Sequence, residues 1–244
     1  SYRIAHISDL HTCANVSLTY LNRCMDRIND LDVDLVVVTG DLITGGLGDE
    51  IPTAAGVLSC IRSRDGLIVV LGNHDYHGWT PGRIRFDVAD RLTAAVEQIG
   101  GRVLRNRSEV ISRRGARMTL VGMDDLMVNR CDPKAAFAGV SSDEPIIVLS
   151  HNPDSMGILA CCPGDVVLSG HTHGGQVCLP FIGPLQLPVK NSQYAAGRYR
   201  VGDKTLYVNR GLGHLIKIRF NCRPEITVHR LRSSDKHGTF GAPS

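Results

Sequence analysis

Five short apolar runs recur along the chain, and each ends in a small residue followed by side chains able to bind a cation. They predict strands at Arg3–Ser8, Val33–Thr39, Leu67–Leu71, Ile146–Leu149 and Val166–Leu168. The first leads into Asp9 and His11, the second into Gly40 and Asp41, and the third into Gly72, Asn73, His74 and Asp75. The fourth leads into His151 and Asn152, and the fifth into Gly170, His171 and His173. Uncharged runs of this length bounded by glycine read as buried strands. In open α/β sheets ligands bind at the carboxyl ends of the strands. If the five strands lie side by side, these endings ring one cleft.

Between the strands the apolar spacing changes to a helical period. Leu18, Leu21, Met25 and Ile28 form one stripe, a second helix begins near Pro52, and a third spans roughly Arg83 to Ile99 with Ile84, Val88, Leu92 and Val96 on one face. Gly100 and Gly101 mark its end. Strand–helix alternation implies a mostly parallel sheet covered by helices. Glu109–Ser112 and Met118–Gly122 read as strands joined by an RRGAR hairpin turn, with the acid pair Asp124 and Asp125 behind them. That pair reads as a cleft feature or, as loop acids more often are, as solvated. A short helix is expected around Ser155–Ala160, and further strands at Tyr194–Arg200, Thr205–Asn209 and Glu225–Leu231. With no internal repeat and no linker, residues 1–232 read as one domain and 233–244 as a disordered tail.

Composition narrows the class without choosing a function. At 244 residues the chain can bury a full core, and 43% hydrophobic with 21% charged residues is ordinary for a soluble globular protein. A net charge of +3 and 5% aromatics give no basis for a nucleic-acid partner, and nothing indicates an obligate protein partner. No apolar run is long enough to span a bilayer. Because Tyr2 already opens the first strand, an anchor or export signal would lie upstream of it. The eight cysteines form no CxxC pair, so reduced and mostly buried thiols are expected, and Cys13, two residues past His11, is not needed as a ligand.

Asp9, Asp41 and the amide oxygen of Asn73 are hard donors mixed here with imidazoles. That combination suits manganese, iron or zinc better than magnesium or calcium, and the lack of thiolates argues against a structural zinc site. His171 and His173, two residues apart in a turn, can serve two neighbouring ions. Two divalent ions held about 3.5–4 Å apart by a shared carboxylate are suited to in-line displacement at phosphorus, and they bring a bridging water to hydroxide at neutral pH. A leaving oxygen then needs a proton. His74 is placed to give it, with Asp75 able to stabilise its protonated form.

Taken in order, DLH, GD, GNHD, HNPD and GHTH resemble the signature blocks of the calcineurin-like metallophosphoesterase superfamily. The resemblance implies an α/β fold, a four-layer α/β/β/α sandwich of two mixed sheets. It also implies that Asp9, His11, Asp41 and His173 bind one divalent metal, while the bridging Asp41 with Asn73, His151 and His171 binds the other. Manganese is the first expectation for both, and His74 the acid or transition-state stabiliser. GDLITGG and GNHD depart from the pattern of protein serine/threonine phosphatases. Beyond GHTH, the stretches GHTHGGQVCLPFIGP, YAAGRY, LYVNRGLG and RFNCRPEI are similar to a bacterial phosphodiesterase branch. That branch includes the membrane-associated UDP-2,3-diacylglucosamine pyrophosphatase of lipid A synthesis and exported phosphodiesterases of the cell envelope. It implies a small-molecule or lipid-linked nucleotide substrate and a place in the bacterial cytoplasm or at the inner-membrane periphery.

Val177–Val189 is uncharged, carries three prolines and starts four residues after a proposed ligand. Leu179, Phe181, Ile182 and Leu185 in it are expected to form an exposed lip for acyl chains or the membrane surface; the opposite expectation is that they pack under the loop. Gln176, Arg210 and Arg219 are candidates for contacting substrate, Arg223 is a further candidate, and His77 and His214 read as surface or supporting residues.

Overall fold

The computed structural model describes residues 1–13, 15–77, 83–113 and 115–232; the expected tail at 233–244 lies outside the described residues. Among the described residues there are thirteen strands: β1 (Tyr2–Ile7), β2 (Leu35–Thr39), β3 (Leu67–Val70), β4 (Arg102–Val103), β5 (Arg107–Arg113), β6 (Ala116–Gly122), β7 (Ile146–Leu149), β8 (Val166–Ser169), β9 (Cys178–Leu179), β10 (Gly183–Pro184), β11 (Gly197–Val201), β12 (Lys204–Val208) and β13 (Thr227–Leu231). The helices are α1 (Leu18–Asn29), α2 (Ile51–Leu58), α3 (Phe86–Gln98), α4 (Pro133–Ala136) and α5 (Met156–Leu159).

One sheet has the order β13-β1-β2-β3-β4, the other β11-β12-β8-β7-β6-β5, and β9 pairs with β10 on its own. β1, β2, β3 and β4 run parallel, as do β6, β7, β8 and β12, with antiparallel strands at the edges. Both sheets are therefore mixed.

The apolar runs lack alternation because both faces of each strand are covered. Ile4, Leu35, Val37, Ile68 and Val70 meet Leu120, Ile147, Leu149 and Leu168 between the sheets. Their neighbours Ala5, Ile7, Val36, Val38 and Val69 pack outward on Leu21, Met25, Val57 and Leu92 of the helices. On the far side Val148, Val167 and Leu206 bury against Met156 and Leu159. The result is the expected α/β/β/α order of layers.

Several local expectations change. The α3 stripe of Val88, Leu92 and Val96 is buried, but the helix starts at Phe86, and Ile84 precedes it exposed. Leu18 is also exposed, since it lies in the first turn of α1 beyond the sheet's cover. All eight cysteines are free, yet only Cys222 is buried and Cys60 and Cys161 are exposed. Asp124 and Asp125 are both buried rather than solvated. Asp124 accepts from Tyr76 and Arg105, and Asp125 accepts the amides of Met127 and Val128.

Candidate metal centre

The parallel strands of both sheets point their carboxyl ends at the same pole. β1, β2 and β3 deliver Asp9, His11, Asp41 and Asn73 from one sheet; β7 and β8 deliver His151, His171 and His173 from the other. All seven side chains are buried. Asp9, His11, Asp41, His171 and His173 have left-handed backbone, with φ between 47° and 71°. Each costs a non-glycine residue roughly 1 kcal/mol or more, and such strain collects at functional sites. Glycines let the turns close. A Cβ on Gly72 would lie 2.3 Å from Asp41 Oδ1, and one on Gly170 would lie 2.5 Å from Asp9 Oδ2.

Two donor sets result, Asp9–His11–His173 and Asp41–His151–His171, with the donor atoms of each set within 4.8 Å of one another. His11 Nε2 lies 3.1 Å from His173 Nε2 and 3.6 Å from Asp41 Oδ2. His151 Nε2 lies 3.2 Å from Asp41 Oδ2 and 3.1 Å from His171 Nδ1. The outer ring nitrogens decide what those inner atoms present. His151 Nδ1 donates to the Thr39 carbonyl at 2.7 Å, and His171 Nε2 donates to the Pro188 carbonyl at 3.0 Å. His171 Nδ1 is therefore a lone pair facing His151, and His151 Nε2 carries a proton toward Asp41 and His171 that a cation would displace to gain two ring nitrogens and a carboxylate. Asn73 Oδ1 is buried with no hydrogen-bond partner among the described residues. A buried amide oxygen left unpaired is costly, and a hard divalent ion beside Asp41 would satisfy it. The donors present thus fit two divalent ions.

Electrostatics agree. Burial works against ionisation of Asp41, but the neighbouring His151 and His74 outweigh it and hold the carboxyl well below its usual range. Burial likewise opposes charge on His151, and Asp41 reverses this, raising the imidazole to about 10. Burial lowers His11 to about 3 and, with His151 beside it, His171 to about 4, so both rings present neutral nitrogens.

His74 lies next to this pair of sets. Its ring meets His11 edge-on at 4.9 Å, its amide donates to Asp41 Oδ1 at 2.9 Å, and Nδ1 donates to the Thr44 carbonyl at 2.6 Å. The Thr44 contact fixes the ring's orientation. Asp75 has a different place from the one expected. Its carboxylate accepts from Leu42 N at 2.8 Å, Ile43 N at 3.1 Å and Gly72 N at 2.9 Å. It braces the turn after β2 against the turn after β3, because those buried amides need an acceptor.

The candidate substrate residues separate in the same way. Gln176 donates to the Ile216 and Ile218 carbonyls and accepts from Leu215 N, so it holds the 215–218 loop. Arg219 is turned inward onto the carbonyls of Arg210 and Gly213, at 2.9 and 2.6 Å, below His173. Arg210 is half-exposed and pairs with Glu225. Phe181 and Ile182 are exposed, at 109% and 72%. His214 reaches the Asn15 carbonyl at 3.2 Å, and His77 Nδ1 the Gly45 carbonyl at 3.2 Å. The loop at 215–220, in which the sequence pointed to Arg219 but not to its apolar neighbours, carries exposed Leu215, Ile216, Ile218 and Phe220. Its signal was the alternation of apolar and cationic residues in LIKIRF.

The paired-sheet sandwich, with this donor set at the strand ends, defines a metal-dependent phosphoric ester hydrolase. The profile of the calcineurin-like phosphoesterase family matches residues 2–175, and the chain belongs to that family. It is 31% identical to the phosphodiesterase YaeI of Escherichia coli, across 94% of this chain and 82% of that protein. Identity to the UDP-2,3-diacylglucosamine pyrophosphatase LpxG of Chlamydia trachomatis is 30%, across 93% and 83%. The metallophosphoesterase YkuE of Bacillus subtilis is 33% identical, across 96% and 80%. Among solved structures, the NAD nucleotidase NadN of Haemophilus influenzae shares the fold, with a TM-score of 0.57 over 86% of this chain and 50% of that one, at 17% identity.

Proposed function

We propose that residues 1–232 act as one catalytic unit, a binuclear metal-dependent phosphoesterase that cleaves the pyrophosphate of UDP-2,3-diacylglucosamine to UMP and 2,3-diacylglucosamine 1-phosphate. The apolar lip carries this choice of substrate. Phe181, Ile182 and Leu185 stand in solvent, and the base of their loop, at Pro188, accepts the hydrogen bond that orients His171. An acyl chain on that lip would leave its pyrophosphate close to the donor sets. The likeness to LpxG, which is named for this reaction, supports the same reading.

Asp9, His11 and His173 would hold one ion and Asn73, His151 and His171 the other, with Asp41 placed to serve both. Two divalent ions, manganese first and iron or zinc also suited to the donors, supply charge neutralisation at the phosphoryl oxygens and lower the pKa of the attacking water. The chain's own residues do the rest. Asp41 and its neighbours stay buried, so bulk water is excluded from the inner donors. His74, oriented by the Thr44 carbonyl, gives the leaving oxygen its proton from Nε2. Arg210, beside Gly174 of the GHTH turn, is a cation for the second phosphate once Glu225 shares it.

A second reading keeps the site and widens the substrate to envelope or nucleotide phosphodiesters, favoured by the likeness to the phosphodiesterase YaeI. Under the first reading the chain works in the bacterial cytoplasm or at the periphery of the inner membrane, whereas the second also suits an exported enzyme of the envelope. Among the described residues no helix is long and apolar enough to cross a membrane. UMP release from UDP-2,3-diacylglucosamine in manganese separates the readings, with bis-p-nitrophenyl phosphate assayed alongside. Fast UMP release that stops with chelator supports the first. Cleavage of the model diester alone refutes it and keeps the second.

A further inference from the structure

Leu215–Phe220 is built inside out. In a surface segment of alternating apolar and cationic residues, the cations ordinarily face water. Here Arg219 is turned into the protein, onto carbonyls of the 210–213 turn, while Ile216 and Ile218 are 57% and 60% exposed. The arrangement is held in place rather than loose. Gln176 donates to the carbonyls of Ile216 and Ile218, the Leu215 amide donates back to Gln176, and Phe220 exchanges backbone hydrogen bonds with Gln176 and Cys178. The same contacts join this loop to the lip, since Val177 and Phe220 form a β-bridge and Leu185 N donates to the Val177 carbonyl. Phe181, Ile182, Leu185, Ile216, Ile218 and Phe220 therefore belong to two tied loops with their apolar side chains in solvent.

Charge identifies what covers them. From Val166 to Pro224 the chain carries eight lysines and arginines and one acid, Asp203; Lys204 is buried, Arg219 is turned inward and Arg210 pairs with Glu225, which leaves Lys190, Arg198, Arg200, Lys217 and Arg223 exposed. Lys217 stands exposed between Ile216 and Ile218, and Lys190 stands exposed at the end of the lip loop. Asp154 does reach the base of that loop, but the amides of Lys190 and Asn191 occupy its carboxylate at 2.6 and 3.0 Å. Apolar side chains flanked by exposed lysines match a bilayer whose headgroups are anionic.

We infer that the two loops are a single docking surface for an anionic lipid bilayer, and that the chain sits on the membrane through it. The inference rests on the lipid-borne substrate reading for its purpose, which is to let an acylated substrate enter the metal centre from the bilayer. The surface itself stands on exposure and charge.

The test is co-sedimentation of the full, manganese-loaded chain with vesicles of phosphatidylcholine alone and of phosphatidylcholine mixed with phosphatidylglycerol. The expected result is binding at least about tenfold tighter to the anionic vesicles. Ile216→Ser with Ile218→Ser, and separately Lys217→Glu, should each weaken it about tenfold or more, with hydrolysis of bis-p-nitrophenyl phosphate unchanged. Sedimentation with neither vesicle, equal binding to both, or unaltered binding by the variants overturns the inference. So does a wild-type dimer in ultracentrifugation that the Ile216/Ile218 variant dissolves, because the surface would then be a contact between copies. Failed vesicle binding with intact diester hydrolysis removes the docking surface alone, whereas wild-type chain inactive on every phosphoester removes the functional reading.

Discussion

Gly72→Ala isolates the packing that the GNHD turn requires. Gly72 has φ of −109° and ψ of 176°, a conformation alanine adopts freely, so the substitution adds a methyl group with no backbone penalty. That methyl carbon would sit 2.3 Å from Asp41 Oδ1, 2.7 Å from Asp41 N and 2.8 Å from His151 Cε1. Ordinary contact begins at 3.4 Å, so Asp41 or the turn must move by about 1 Å. Neither neighbour is a flexible side-chain end: Asp41 and His151 are buried, and each is fixed by further hydrogen bonds. Overpacking of this kind costs about 1–3 kcal/mol. For 244 residues that is a fall in Tm of roughly 2–12 °C. The catalytic consequence is larger, since a misplacement of about 1 Å in the shared carboxylate corresponds to a loss near 10²-fold in kcat/KM. Thermal unfolding in chelator reads the packing cost without any contribution from metal, and metal content with diester hydrolysis reads the site. A variant with wild-type metal content and activity would refute the claim that Gly72 sets the position of Asp41.

Three further outcomes follow from the same geometry. His74→Asn should keep metal content near normal, because the imidazole is placed beside the donor sets, while kcat falls about 10²–10⁴-fold; retained activity removes His74 from the chemistry. Asp75→Ala leaves three buried amides without an acceptor, so chelated protein should lose about 3 kcal/mol and roughly 6–12 °C in Tm; an unchanged Tm would mean those amides find other partners. In the ion-free chain Asp41 raises His151 from its ordinary value to about 10. The stability this pair contributes is fully present below the ordinary histidine pKa and is lost as pH rises through about 10. Metal must displace that proton, so manganese affinity should go on rising above neutral pH and calorimetry should detect proton release; a flat profile above neutral pH would contradict it.

The site was readable because its grammar is local. Each donor follows a strand by one to five residues, and a parallel sheet gathers all such endings at one edge. Long-range pairing was not readable in that way. β13 returns to pair antiparallel with β1 across the whole chain, and β12 joins β8, but nothing local to either strand specifies the partner. The two-residue β4 is too short to show a period. Asp75 looked like the partner of His74 because they adjoin in sequence; a 3-10 turn instead directs its carboxylate back onto Gly72 and across to Leu42. Gln176 was a candidate for substrate from its place in the GGQ turn and Arg219 as a cation near the end of the chain, yet backbone carbonyls of the 210–218 segment claimed their donors. The pattern at 215–220 would suit an amphipathic strand, and only three-dimensional placement shows which side faces water.

The most direct test of the account is anomalous diffraction from crystals of the manganese-loaded chain. Two peaks are predicted about 3.5–4 Å apart, one bound by Asp9, His11 and His173, the other by Asn73, His151 and His171, with Asp41 between them. A single peak, or a pair that Asp41 does not bridge, would contradict the binuclear centre on which the proposed chemistry depends.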